Sequence, residues 1–471
     1  GALGSLAADS IPRGEEIGID ASVIGFAGLL SLATGLLFGF FAATASARVA
    51  IASGLREGTR GSSATRRAGT LRNGLAVAQV ALALALMTGA GLLANSYYRL
   101  NSVETGFSFE NVLTARVSVP VERYDTDASI LQFFDELTAG VERLPGVTSV
   151  TTSYSPPLAS SSFRQSIEID DGPGGEDEDR VWAGTVIVGE GFFDASGIPL
   201  VAGRGFGPAD RGGPQVAVVN RTMAERYWPG EDAVGKRFRI TGGITGSVES
   251  LDRRYFVRDW MTVVGVAGDV RRRSLEEPAE PEFYRPHSQM AWPGMAFLIR
   301  TTGDPEALVP ALKAETARLD RTLPVTSIRT LSQLRAEATA MPRFRTALLG
   351  AFAAIASFLA IIGVYGVMSF TVGQQRHEIG IRMALGASHR QVMRRVLGRG
   401  LRVAGFGAAL GLALAFVGSR ALGAMVYGIS TRDPLTYVAV TALILGVALA
   451  ATALPARRAS RVDPVGTLRE G

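Results

Sequence analysis

The stretch RHEIGIRMALGASHRQVMRRVLGRG, residues 376–400, decides the fold. Residues 346–375 before it and 403–419 after it are apolar and carry no charge. As helices rising about 1.5 Å per residue, the flanks can cross a hydrocarbon core of about 30 Å. The second is short and extends past its bounding arginines, which can snorkel. Through Arg402 the stretch holds seven arginines and one acid, Glu378. It is too short for a domain and too charged to stay in lipid. It is therefore a positive turn on the cytoplasmic side between two membrane helices.

Its interior is patterned. Ile379, Ile381 and Leu385 are apolar among charged neighbours, which suits a short helix lying at the interface. Gly386 can end that helix, because glycine tolerates the left-handed cap conformation. Ser388 and Gln391 then have the spacing of a capping box, which opens a second short helix. Two short helices meeting at a glycine make a rigid knob for a cytoplasmic partner. An ordinary positive-inside loop fits the same patterning.

Glu378-Ile379-Gly380-Ile381-Arg382-Met383-Ala384-Leu385-Gly386-Ala387 resembles the EIGIRxALGA signature of FtsX/MacB-type ABC transporter permeases. In that family the segment contains the coupling helix that docks on a separate or fused ATPase. The resemblance favours the knob. It implies that Glu378, Ile379, Gly380, Ile381, Arg382, Leu385 and Gly386 meet a cytoplasmic ABC ATPase dimer.

The 471 residues are 47% hydrophobic and 19% charged, against about 25% charged in ordinary soluble domains. Five apolar stretches are long enough to span a membrane: residues 21–44, 74–98, 346–371, 403–425 and 435–454. The segments after the first, third and fifth hold 17 arginines and 4 acidic residues, a net +13 in a chain of +5. The basic excess thus marks cytoplasmic flanks, not nucleic-acid binding. The N-terminus lies outside, the C-terminus inside, and residues 99–345 outside. Gly35-x-x-x-Gly39 and Gly407-x-x-x-Gly411 allow close helix approach. No span carries an acid or histidine at its centre, which argues against a proton relay.

Residues 43–58 and 456–471 align without gaps, share Ala43/Ala456, Arg48/Arg461 and Val49/Val462, and both end in Leu-Arg-Glu-Gly. Each follows an apolar span, so the simple account is duplication. Residues 1–50 are then the last membrane helix of a preceding permease unit, which would form a pseudo-dimer with this one. The chain begins at Gly1 and reads as a fragment of a longer tandem permease. Residues 51–73, rich in Gly, Ser, Thr and Arg, form a solvated basic linker. Residues 74–98 are the next span, residues 346–455 a permease domain with three spans, and residues 456–471 a basic tail.

The outer segment reads as α+β. Strand composition at 111–119, a helix at 128–144 and a strand at 146–154 make one β-α-β unit. A strand at 296–300, a helix near 305–319 and a strand at 324–328 make another. Ile130, Phe133, Phe134, Leu137 and Val141 share the first helix's apolar face. Two such units split by a β-rich insertion, roughly 156–290, suggest a split ferredoxin-like domain. Strand pieces in the insertion fall at 181–188, 215–219 and 261–266. GIPLVAGRGF (197–206), Tyr227-Trp228-Pro229-Gly230 and VVGVAGDVR (263–271) resemble the MacB-type periplasmic core, whose subdomains are called Porter and Sabre. Both junctions with the membrane are short and lack glycine. Tyr98, Arg99, Pro342 and Arg343 are expected to form a stalk, with Pro342 stiffening its junction by its fixed φ.

Catalytic motifs fail on inspection. Gly230 to Lys236 matches a P-loop until Arg237 stands where Ser or Thr should hold Mg²⁺. His377-Glu378 begins an HExxH, but Ile381 replaces the second histidine. The 3 histidines, His287, His377 and His389, fall on opposite sides of the membrane, and there is no cysteine. Residues 170–179 form an acidic loop without EF-hand spacing. No catalytic residue, metal site or cofactor is expected.

The fold class implied is a membrane α-helical bundle plus an extracytoplasmic α+β domain, in the bacterial inner membrane. The resemblance implies a permease that couples ATP hydrolysis on a separate ATPase to movement of the outer domain, for export. A membrane-fusion protein and the lipid bilayer are further candidate partners. The alternatives are a signalling permease that controls an envelope hydrolase and, last, a membrane-anchored enzyme.

Overall fold

The computed structural model describes residues 21–36, 63–103, 105–158, 163–170, 181–245, 259–272, 274–385, 387–423, 426, 428 and 430–460. In chain order the elements begin with α1 (Ala21–Leu36), α2 (Ser63–Asn101), β1 (Val112–Ser118), α3 (Asp127–Glu142), β2 (Val147–Ser153), β3 (Phe163–Ile169) and β4 (Val181–Val188). There follow α4 (Phe192–Ser196), β5 (Leu200–Gly203), β6 (Val216–Asn220), α5 (Arg221–Tyr227), β7 (Arg237–Thr245), β8 (Met261–Ala267), β9 (Glu282–Pro286) and β10 (Gly294–Thr301). The last are α6 (Val309–Leu319), β11 (Thr326–Thr330), α7 (Leu331–Gln374), α8 (Arg376–Ala384), α9 (His389–Leu422) and α10 (Pro434–Ser460). They fall into two units: Ser102–Thr339, and Gly1–Asn101 with Ala340–Gly471.

The unit Ser102–Thr339 contains the two β-α-β units read from the sequence. Strand order β11-β1-β10-β2, with every neighbour antiparallel, is that of a split β-α-β fold. The first helix, α3, starts where Thr126 and Ser129 exchange side-chain-to-backbone bonds in a capping box. Its apolar face, Ile130, Phe133, Phe134, Leu137 and Val141, is fully turned inward, as its period requires. It meets Leu113, Ala115, Val117, Phe297 and Ile299 from the sheet. Each such buried side chain contributes about 1.5–3 kcal/mol, so this face alone fixes the helix on the sheet.

The insertion departs from the expectation of short β pieces. A single pair, Ser153 with Val188, carries the sheet from β2 into β4. From there β3, β7, β8, β6 and β9 follow, and β9 returns to pair in parallel with β4. The strands therefore close into a ring, with β5 paired to β8 outside it. Strands β6 and β9 are buried on both faces, because side chains alternate between two cores. Ala217, Val219 and Phe283 point into one core, and Val218 and Tyr284 into the other. The sequence reading missed β3, β5, β7 and β9. Strand β3 (FRQSIEI) hides its period behind Arg164 and Glu168, and Glu168 is in turn paired with Arg239 of β7 at 2.8 Å.

In the other unit, α2, α7, α9 and α10 are long and apolar enough to cross a membrane. Their small residues set the packing. A Cβ on Gly407 would stand 2.7 Å from the Val80 Cβ, and one on Gly411 2.7 Å from the Ala81 carbonyl oxygen. Only glycine lets α9 approach α2 so closely. Gly400 has the same relation to Thr452 of α10. Val80, Leu84, Val364, Met368, Ala408 and Ile444 share one core. Phe352, Ile355, Phe358 and Phe406 stay exposed, as lipid-facing side chains would. The 16 described residues of the first apolar stretch form α1, and all are exposed; residues 37–44 lie outside the described residues.

Two boundaries differ from the sequence reading. Helix α2 begins at Ser63, inside the expected linker, since extending a helix through Ala, Thr and Arg costs far less than nucleating one. The helix opened by Ser388 is not short; it runs 34 residues without a break into the span. Pro342 stands just past the Thr339/Ala340 boundary between the units, and it lies inside α7, a helix of 44 residues. Its ring removes one helical N–H donor, and Thr346 Oγ1 donates to the Pro342 carbonyl at 2.8 Å.

Candidate coupling site and stalk

Helix α8 follows α7 after a single residue, Gln375, whose carbonyl accepts the Ile379 N–H at 2.8 Å. Its end is closed by backbone bonds on either side of position 386. The Ala387 N–H donates to the Arg382 carbonyl at 2.9 Å, and the Leu385 N–H to the Ile381 carbonyl at 3.0 Å. Gly386 itself lies outside the described residues. Ser388 and Gln391 then form the expected capping box, with bonds of 3.1 and 3.4 Å.

The structure divides the apolar residues of α8. Ile379 is buried with Val372, Val392 and Ala459, and Met383 packs beside it. These come from the ends of α7, α9 and α10, so α8 is seated on three helices. Gly380 is also buried. On the other side Ile381 is 39% exposed and Leu385 83% exposed. The two are four apart and share one face. Glu378 and Arg382 form an exposed ion pair at 2.5 Å. Such a pair adds only about 0.3–0.5 kcal/mol to a helix, so its charges are available to a partner at little cost to the fold. The result is a helix held from within and presenting an apolar pair beside a charged pair.

At the far end of the same unit, α2 and α7 meet where Thr346 Oγ1 approaches the Leu93 carbonyl at 3.4 Å. Arg99 donates to the Gly428 carbonyl at 3.1 Å, tying the end of α2 to the segment before α10. Tyr98 and Arg343 are exposed, and Pro342 is half-buried. The four stalk residues thus lie on two neighbouring helices.

The P-loop mimic is a turn. Gly230 and Gly235 have φ of 78° and 87°, and Lys236 pairs with Glu231 at 2.5 Å. Residues 171–179 of the acidic loop and both copies of the Leu-Arg-Glu-Gly repeat lie outside the described residues. No cluster of His, Asp or Glu that could hold a metal occurs among the described residues. The sequence reading missed Gln79, whose buried Oε1 in the bundle has no hydrogen-bond partner and faces Gly363. A lone amide in an apolar span was the available signal.

Comparison with known proteins bears on both units. The family model for the MacB-like periplasmic core domain matches residues 74–319, and that for the FtsX-like permease C-terminal region matches residues 350–464. "Macrolide export ATP-binding/permease protein MacB 1/2" of Paracoccus denitrificans is 28% identical over 299 residues, 60% of this chain and 41% of that protein. "Pyoverdine export ATP-binding/permease protein PvdT" of Pseudomonas putida is 38% identical over 122 residues, 26% of this chain and 18% of that protein. This chain therefore spans well under half the length of the curated relatives it matches. The solved periplasmic region of MacB from Actinobacillus actinomycetemcomitans aligns with 50% of this chain and 96% of its own, at 16% identity and a TM-score of 0.31.

Proposed function

This chain belongs to the MacB/FtsX-type permease family, and on that premise we propose that it is the permease of an ABC exporter, moved by ATP hydrolysis on a separate ATPase. It is an inner-membrane protein with a large periplasmic domain. Helix α8 is the coupling element. The single observation that supports this role is the division of its residues: Ile379 seats the helix, while Ile381 and Leu385 stand exposed beside the Glu378–Arg382 pair. A groove on an ATPase would take the two apolar side chains, and its charges would engage Glu378 and Arg382. A push on α8 passes to α7, α9 and α10, because Ile379 shares one buried cluster with residues near the ends of all three.

Movement then travels to the periplasmic domain through α2 and α7, without an alternating-access pore. The fully exposed α1 would, as the last helix of a preceding permease unit in a tandem parent, pack with that unit's other helices. Macrolide and pyoverdine export, named for the relatives, set the first cargo classes to assay.

The test uses the full chain in proteoliposomes with its ATPase. Ile381→Ser with Leu385→Ser should lower permease-dependent ATPase stimulation by about tenfold or more, the loss of a small apolar anchor. Insertion and helix content should not change, because both residues lie outside the core. Full stimulation by a variant that also carries Glu378→Ala and Arg382→Ala would sink the coupling assignment.

A further inference from the structure

Between the end of α7, helix α8 and the start of α9 lies a cavity of about 320 Å³. Part of its wall is apolar, from Met368, Val372, Ile379, Val392 and Val396. The rest carries four guanidinium groups, Arg382, Arg395, Arg399 and Arg402, and one carboxylate, Glu378. Arg395, Arg399 and Arg402 are spaced by four and three, which puts them on one face of α9. Glu378 is already bonded to Arg382 at 2.5 Å. The lining therefore holds an excess of like charge that an anion between the arginines would relieve.

A second cavity of about 360 Å³ adjoins it and shares Thr371, Gln375 and Arg399 with the first. At its rim Arg72 stacks over the Phe370 ring, 3.9 Å from the centroid. Arg399 lines both spaces. Depth also matters. The charge-free part of α9 starts at Val403, and the apolar part of α7 ends around Val372. The arginines thus stand at the boundary of the apolar slab on the basic side, where phospholipid headgroups lie.

We propose that this cavity binds the phosphate of an anionic phospholipid of the cytoplasmic leaflet, held by Arg395, Arg399 and Arg402. The mixed wall favours an amphiphile. Arginine forks match phosphate oxygens in pairs, and the apolar side chains cover the glycerol and first methylenes. A free phosphate ion would satisfy the arginines and leave that wall wet. The three arginines that hold the phosphate belong to α9 and not to α8, so the site does not depend on an ATPase docking on α8, although Glu378 and Arg382 also line it.

Native mass spectrometry of the full chain in mild detergent tests this, with phosphatidylglycerol, phosphatidylcholine and inorganic phosphate as separate probes. Phosphatidylglycerol should be retained and phosphatidylcholine lost. Arg399→Gln with Arg402→Gln should weaken phosphatidylglycerol roughly thirtyfold, two arginines at the usual strength of juxtamembrane basic groups. Arg390→Gln with Arg394→Gln removes equal charge from residues outside this cavity and should leave retention within about twofold. Arg399→Lys with Arg402→Lys keeps the charge and guards against misfolding; it should bind more tightly than the glutamine pair. Equal retention of both lipids, or equal loss in the two glutamine pairs, would overturn the proposal. Binding of millimolar inorganic phosphate with full displacement of phosphatidylglycerol would assign the site to free phosphate and overturn the lipid.

Discussion

Ile379 and Ile381 are two positions apart on one 9-residue helix, and one is buried while the other faces out. At about 100° per residue they point roughly 200° apart, so helical geometry alone requires the split once one of them finds a core. The same residue-level logic runs through the periplasmic domain. Arg272 and Glu282 are buried together at 2.8 Å, each compensating the other. Arg285 is buried without a carboxylate, donating to Met290 Sδ and Gln215 Oε1, and burial lowers its pKa to about 10. His287 beside it is buried against Phe134, and burial lowers its pKa to about 4 although the Trp292 carbonyl partly offsets this. A depressed histidine pKa means that the unfolded chain takes the proton first as pH falls. Stability from this group is therefore complete above about pH 6.5 and lost between pH 6.5 and 4, by about 3 kcal/mol in total. All 4 tryptophans lie in this domain, so intrinsic fluorescence follows its unfolding separately from the helices. Urea midpoints of wild type and His287→Gln should diverge by this amount from pH 7 to 4, the wild type losing more. Parallel curves would show that the histidine is not buried neutral.

At the scale of elements, caps and faces were legible and pairings were not. The capping box at Ser388 and the inward face of α3 depend on residues three and four apart, and both stand as the sequence implied. The two glycine motifs look alike in sequence and part company in space. Gly407 and Gly411 are pressed on α2, while Gly35 has nothing within 4 Å and Gly39 lies outside the described residues. Gly411→Leu should then destabilise the bundle by about 1–3 kcal/mol through overpacking. Gly418→Leu, on an open face of the same helix, should change stability by less than about 0.5 kcal/mol. Titration with a denaturing detergent, read by helical circular dichroism, compares them; equal effects would mean that α9 does not pack on α2 through these glycines.

For the whole molecule, the proposed transmission from α8 to the periplasmic domain would run through α2 and α7. Helices α2 and α7 touch near Leu93 and Thr346 and continue past that point. If they act as one stalk, cysteine pairs between residues 95–101 and 341–345 should cross-link sparsely and at helical spacing. A disulfide needs Cα atoms within about 7 Å, and the chain has no cysteine of its own to confuse the pattern. Addition of ATP with the ATPase should change which pairs react. Cross-linking of every pair, unaffected by ATP, would describe floppy tethers and remove the physical basis of transmission.

Four membrane-capable helices, the α8 signature and the two β-α-β units were legible in the sequence, because hydrophobic length, short motifs and periodicity are local properties; which side each span faces is an expectation from arginine placement. Only the tertiary structure decided that β9 returns to β4 and closes the ring, since a parallel pair between residues about a hundred positions apart leaves no local trace. It alone decided that Ile379 would be the seat and Ile381 the exposed side chain, a choice made by Val372, Val392 and Ala459. It also gathered four arginines around one cavity. Their spacing along α9 was visible, but a cavity exists only once α7 and α8 supply its other walls.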